Sequence, residues 1–198
     1  MNSKTNKTGK TFIVGAGSCG INILNYLAGR DLKNAEFIAI HTYEKALDGS
    51  KAGKKILIGS SLVKGASLSM DPDVAREAAQ KDRNIIAKAI KSAGKIIIVA
   101  GMGGTNGTGI TPVIAQVTQR CNVFTAGVVT MPFRFEGPSR YFAAQKGIID
   151  LLTVTDTLTI INNDKLSDKA KGPAEIKTFV NFMGYVNDLF YKTIIGIL

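Results

Sequence analysis

Short apolar runs alternate with longer amphipathic segments from residue 11 to the end of the 198-residue chain. Thr11–Val14, Glu36–Ile40, Lys55–Ile58, Ile96–Ala100, Asn122–Thr130 and Asp156–Ile161 are brief, mostly β-branched runs, the signature of buried strands. Between them the apolar period lengthens. Ile21, Leu24 and Leu27 share one face of a helix that ends near Gly29. Val74, Ala78, Ile85, Ala89 and Ala93 predict a second stripe, on a helix with Asp71 as N-cap, Pro72 in its first turn and Gly94 at its end. Val113, Ile114 and Val117 continue the helical spacing to about Arg120, and further helices are expected over about Ser139–Leu152 and Ala174–Leu198. Strands alternating with helices predict an α/β fold, a parallel sheet with helices on both faces. Ligands of such sheets sit outside the carboxyl ends of the strands, so the loops after strands hold the candidate chemistry.

Two of those loops are dense in glycine. The first run leads into Gly15-Ala16-Gly17-Ser18-Cys19-Gly20, and the central run leads into Gly101–Gly109, within KIIIVAGMGGTNGTGITP. Strand, glycine loop, helix is the order that brings backbone N–H groups to a phosphate at a helix N-terminus. Glycine is required there because a side chain would block close approach. The second loop is no P-loop, since no Gly-Lys-Ser/Thr follows. The first is a complete GxGxxG, the dinucleotide fingerprint, but the second strand ends in His41-Thr42-Tyr43 without the ribose-binding acid, and Glu44 comes late. A Rossmann-type NAD(P)-dependent oxidoreductase is therefore a second reading.

Composition narrows the class. A 45% hydrophobic content and no apolar run of membrane-spanning length describe an ordinary globular chain. The polar Met1–Lys10 segment is expected to be a disordered tail without a signal-peptide core, which points to the cytoplasm. Cys19 and Cys121 have no metal spacing and read as reduced thiols, and a lone His41 argues against zinc. The net charge of +10 is spread over scattered lysines without interleaved aromatic residues, which argues against nucleic acid and suits a nucleotide triphosphate. Cys19, near a helix N-terminus, is expected to favour its thiolate.

Several separated motifs resemble the FtsZ/tubulin superfamily. Gly103-Gly104-Thr105-Asn106-Gly107-Thr108-Gly109 is similar to its signature GGGTGTG, and Gly15–Asn22 to its first loop, GVGGGGGN. Glu36–Leu47 resembles EFIAINTDAQAL with Tyr43 in place of the Asp, and Phe133–Arg140 resembles PFxFEGxxR. Asn162–Leu166 resembles PNDRL. The loop at Gly65–Asp73 is bulkier than the family's GLGAGANPE, which closes over a terminal phosphate.

The resemblance implies a tubulin/FtsZ-type GTP-binding domain over residues 11–198, ending in the long central helix, 174–198. It implies GTP or GDP as ligand, with Mg2+ accompanying GTP. The implied phosphate contacts are Gly17, Ser18, Cys19, Gly20 and Asn22, with Gly103, Gly104, Thr105, Asn106, Gly107 and Thr108. Glu136 would contact the ribose, Arg140 the nucleotide, and Asn163 the base. Alignment of Gly196-Ile197 puts Asn187-Asp188 on the guanine-reading pair and Met183 on the stacking aromatic. No counterpart of the family's second domain or its acidic water-activating loop is recognisable, so slow or no GTP turnover by this chain is expected and no catalytic residue is assigned. A filament-forming role in prokaryotic cell division or a related cytoskeleton follows from the resemblance, as does association with a full-length relative. A third reading is an interaction module that keeps the fold without binding nucleotide. The final helix is apolar almost all round, which predicts self-association through it, with Gly172-Pro173 as a hinge.

Overall fold

A computed structural model describes residues 9–32, 34–60, 71–170 and 178–198. Residues 1–8 of the expected tail, the loop at Lys64–Met70 and the Gly172-Pro173 hinge lie outside the described residues, while Lys10, expected in the tail, already pairs in the first strand. Strands β1 (Lys10–Ala16), β2 (Ala35–His41), β3 (Lys54–Leu57), β4 (Ala93–Gly101), β5 (Phe124–Met131) and β6 (Thr157–Asn162) make one sheet in the order β3-β2-β1-β4-β5-β6. Every neighbouring pair is parallel.

The side-chain period of two divides each central strand between two cores. Phe12, Val14 and Ala16 face the same side as Ile96, Ile98 and Ala100, beneath helices α3 (Pro72–Lys81), α4 (Arg83–Ala89), α5 (Thr105–Arg120) and α6 (Pro138–Leu152). Ile13, Ile97 and Val99 face the other side, beneath α1 (Gly17–Leu27) and the long helix α8 (Phe179–Ile197). Two short helices complete the described chain, α2 (Glu44–Asp48) and α7 (Asn163–Ala170). Neither was expected, because each is short and carries too few apolar residues to show a helical stripe.

The helix expected between Asp71 and Gly94 needs correction. Asp71 does cap it, accepting from Asp73 N at 2.8 Å. The helix then breaks at Asp82 into α3 and α4, while Ala93 and Gly94 already belong to β4. The buried side is Ala75, Ala78, Ala79, Ile86 and Ile90, and Ile85 is exposed. The adjacent isoleucines at 85 and 86 allow two stripes one residue apart, and the fold uses the one that buries Ile86 and Ile90.

Helix α8 opens at Thr178, whose hydroxyl accepts from Asn181 N at 3.2 Å. Its buried row, Phe182, Val186, Phe190 and Ile194, follows the i, i+4 spacing. Burial of four such side chains at about 1.5–3 kcal/mol each anchors the helix by about 6–12 kcal/mol. Its exposed side still carries Phe179, Val180, Tyr185 and Ile195. Asp188 ties the same helix to α1, ion-paired with Arg30 at 3.1 Å and accepting from Tyr26 Oη.

Candidate nucleotide-binding site

The strand order reverses direction between β1 and β4, and both run into helices at that point. This is where an open parallel sheet offers a crevice to a ligand. A cavity of about 980 Å³ opens there, walled by the starts of α1 and α5, the ends of β2 and β5, and the inner side of α8.

The wall at the strand ends is made by backbone. Helix α1 starts at Gly17 and α5 at Thr105, and neither has a side-chain cap or an acidic residue in its first turn. Their first N–H groups therefore have no partner within the helix and face the cavity with the positive end of the helix dipole. Close packing explains the glycines. A Cβ on Gly107 would lie 2.0 Å from Gly101 O, and one on Gly17 would lie 2.9 Å from Gly107 N. Gly103 has φ +95°, and its N–H donates to Thr108 Oγ1 at 2.7 Å, which holds the turn closed. Thus most of what reads as loop is helix: Asn106-Gly107-Thr108-Gly109 form the first turns of α5.

Of the expected contacts, Gly17, Ser18, Cys19, Asn22, Gly104, Thr105, Asn106 and Gly107 line this wall. Gly20 instead lets α1 approach the sheet, where a Cβ would sit 2.6 Å from Val99 O. Gly103 and Thr108 brace the turn behind the wall.

Glu136, Arg140, Asn163, Met183 and Asn187 line the remaining walls. Glu136 accepts from Phe133 N at 2.9 Å and from Arg140 Nη1 at 2.5 Å, so the two charged residues are partners at the rim. Asn163 is buried, and its Oδ1 has no hydrogen-bond partner among the described residues. Such an atom is costly unless something that enters the cavity satisfies it. Asn187 and Asp188 part company: Asn187 faces the cavity, while Asp188 turns to α1.

The family model described as "Tubulin/FtsZ family, GTPase domain" matches residues 10–171. The chain belongs to the Tubulin/FtsZ family. It is 37% identical over 154 residues to the cell division protein FtsZ of Buchnera aphidicola, an alignment covering 78% of this chain and 40% of that protein. It superposes on an empty FtsZ dimer structure from M. jannaschii with a TM-score of 0.83 and 32% identity, over 93% of this chain and 53% of that one. CetZ2 from Haloferax volcanii, in a GTPγS-bound protofilament, shares the fold with a TM-score of 0.80 at 20% identity, over 93% of this chain and 57% of that one. The chain thus spans about half the length of the relatives it matches, or less.

Within this Tubulin/FtsZ domain, three features escaped the sequence reading. His41, the last residue of β2, lines the cavity between the two helix starts, beside the Tyr43 that the family motif had already marked. Phe133 and Phe135 stack at 4.9 Å beside it, and Phe133 also meets Phe179 and Phe182, at 6.4 and 5.3 Å. Alternation of aromatic and polar residues in Phe133-Arg134-Phe135-Glu136 was the available signal. The third concerns Cys19, and it is a correction. Burial pushes its thiol up to about 11, the Glu136 charge pushes the same way, and the hydrogen bond with Thr130 only partly offsets them. Desolvation outweighs the helix N-terminus, so Cys19 is a thiol here and not a thiolate.

Proposed function

We propose that the cavity binds a guanine nucleotide, GDP or GTP. The observation that carries this reading is the convergence of two uncapped helix starts, α1 and α5, on one crevice whose far wall carries Asn187. Paired N-termini suit a diphosphate. An amide on α8 can pair with the N1 and N2 edge of guanine and reject adenine. Asn163 Oδ1 supplies a polar atom that lacks a partner among the described residues, and Met183 an adaptable apolar contact for the base. Glu136 and Arg140, which also line the cavity, have the chemistry to meet sugar hydroxyls and phosphate. Membership of a GTPase family supports the same assignment.

Magnesium fits this wall less well. Tyr43 stands where the family motif has a carboxylate, and no group of three or more metal-ligating side chains exists among the described residues. Any Mg2+ would depend mainly on the phosphates and water. Glu136 is the only carboxylate among the described residues lining the cavity, and its oxygens already serve Phe133 N and Arg140. We expect slow turnover of GTP by this chain alone, since hydrolysis also needs a group that orients the attacking water.

The biological role that follows is filament-associated, in cell division or a related cytoskeleton, in the cytoplasm. No helix among the described residues is long and apolar enough to cross a membrane. Self-association through the exposed side of α8, or pairing with a full-length relative, fits the apolar surface that side leaves in solvent. Isothermal titration with GDP, GTP, ADP and NAD tests the ligand. GDP and GTP should bind and the others should not; NAD binding would restore the oxidoreductase reading, and binding of none the interaction-module reading.

A further inference from the structure

The one histidine of the chain sits between the two helix starts, in a position the functional reading leaves without a task. His41 is 5% exposed. Its Nδ1 lies 2.9 Å from Tyr43 N, and its Nε2 lies 3.1 Å from Ser18 Oγ. A backbone N–H can only donate, so Nδ1 must be the accepting nitrogen and carries no proton. In a neutral imidazole the proton is then on Nε2. Nε2–H donates to Ser18 Oγ, and this decides where the serine proton goes. The hydroxyl accepts from the ring and keeps its own O–H to give elsewhere.

Ser18 is exposed, in the first turn of α1, and lines the cavity. We propose that His41 is a positioning residue: its fixed tautomer turns the Ser18 hydroxyl into a dedicated donor to the phosphate of a bound nucleotide. This role rests on the functional reading given above. The neighbouring residue of the same strand end serves the second loop, because Thr42 N and Oγ1 both donate to Asn106 Oδ1, at 3.2 and 2.8 Å. The accepting oxygen of Asn106 is thereby spent on Thr42, which leaves its amide NH2 as a donor. One short segment, His41–Tyr43, thus sets the polarity of a side chain at each helix start.

Burial holds the imidazole below its ordinary pKa, so the neutral form persists at neutral pH. Cys19 beside Ser18 is a thiol, and Asn106, held by Thr42, is an amide.

The test is a double-mutant cycle on GDP affinity in the full chain, with thermal unfolding as a control for folding. Ser18→Ala and His41→Ala should each weaken GDP roughly 10-fold, the loss of one donor to a charged acceptor. The double variant should lose no more than either single one, since both remove the same donor. His41→Gln should restore most of the affinity, because its amide nitrogen can reach the Nε2 position and donate to Ser18, which the shorter Asn cannot. Nitrogen-15 spectra of the imidazole, taken without nucleotide, should show the proton on Nε2 alone. Multiplicative losses in the double variant, or a proton on Nδ1, would overturn the role of His41 and leave the functional reading standing. No GDP binding by the unmodified chain would overturn both.

Discussion

At the glycine wall of the cavity the ligand-facing groups belong mainly to the backbone, whereas at the α8 wall they belong to side chains. Gly17 and Gly107 pack so closely that neither leaves room for a Cβ, and two helix starts present bare N–H groups. Across the cavity, Met183 and Asn187 project from a helix that is anchored by other residues, Phe182, Val186, Phe190 and Ile194. A backbone wall can be destroyed only by disturbing the fold. A side-chain wall can be edited with the fold intact, so under the proposed function affinity and base selectivity should be separable.

The largest effect should come from adding one carbon to the glycine wall. Gly107→Ala puts a Cβ against Gly101 O, 2.0 Å away in the present geometry. Relief requires α5 to move off β4, at a cost of about 1–3 kcal/mol in stability. GDP binding should be lost with it. Chemical denaturation beside nucleotide titration reads both; an alanine variant that binds GDP normally would show that the α5 start is not the phosphate wall.

Cys19 probes the same wall without altering it. A thiol pushed up to about 11 holds about 100-fold less thiolate at pH 8 than one at the ordinary 9.0. Alkylation of Cys19 should therefore be slow at pH 8, accelerate only as the pH climbs from 9 towards 11, and slow further with saturating GDP. The sign of the linkage agrees. A thiol raised in the folded state contributes stability that is complete below pH 9 and is lost as pH rises through about 11. Fast labelling at pH 7, unaffected by GDP, would contradict this placement of the residue.

At the opposite wall the effect should be smaller and more selective. Asn187→Ala should cost about 1–3 kcal/mol of GDP affinity, from an unpaired base edge, with unfolding unchanged. It should narrow the gap between GDP and ADP. Equal loss for both nucleotides would mean that Asn187 supports the cavity without reading the base.

The two walls also differed in how far the sequence disclosed them. Glycine runs after apolar strands were legible because a steric need leaves its mark in the chain itself, and the strand–helix alternation gave the sheet. The break at Asp82 was not legible, since the Ile85-Ile86 pair fits two helical faces equally well. The contact of His41 with Ser18 spans 23 positions, and only the parallel pairing of β2 with β1 brings them together. Asp188 shows the same limit. Its neighbour Asn187 lines the cavity, but the Arg30 that turns Asp188 aside lies just past the end of α1, 158 residues earlier.

The most direct test of the central claim is a map of backbone amide shifts on titration with GDP. The account predicts the largest changes at Gly17, Ser18, Thr105, Asn106 and Gly107, the N–H groups at the two helix starts, with a second set at Asn187 on α8. Shifts confined to any other face of the sheet, with those amides unmoved, would contradict it.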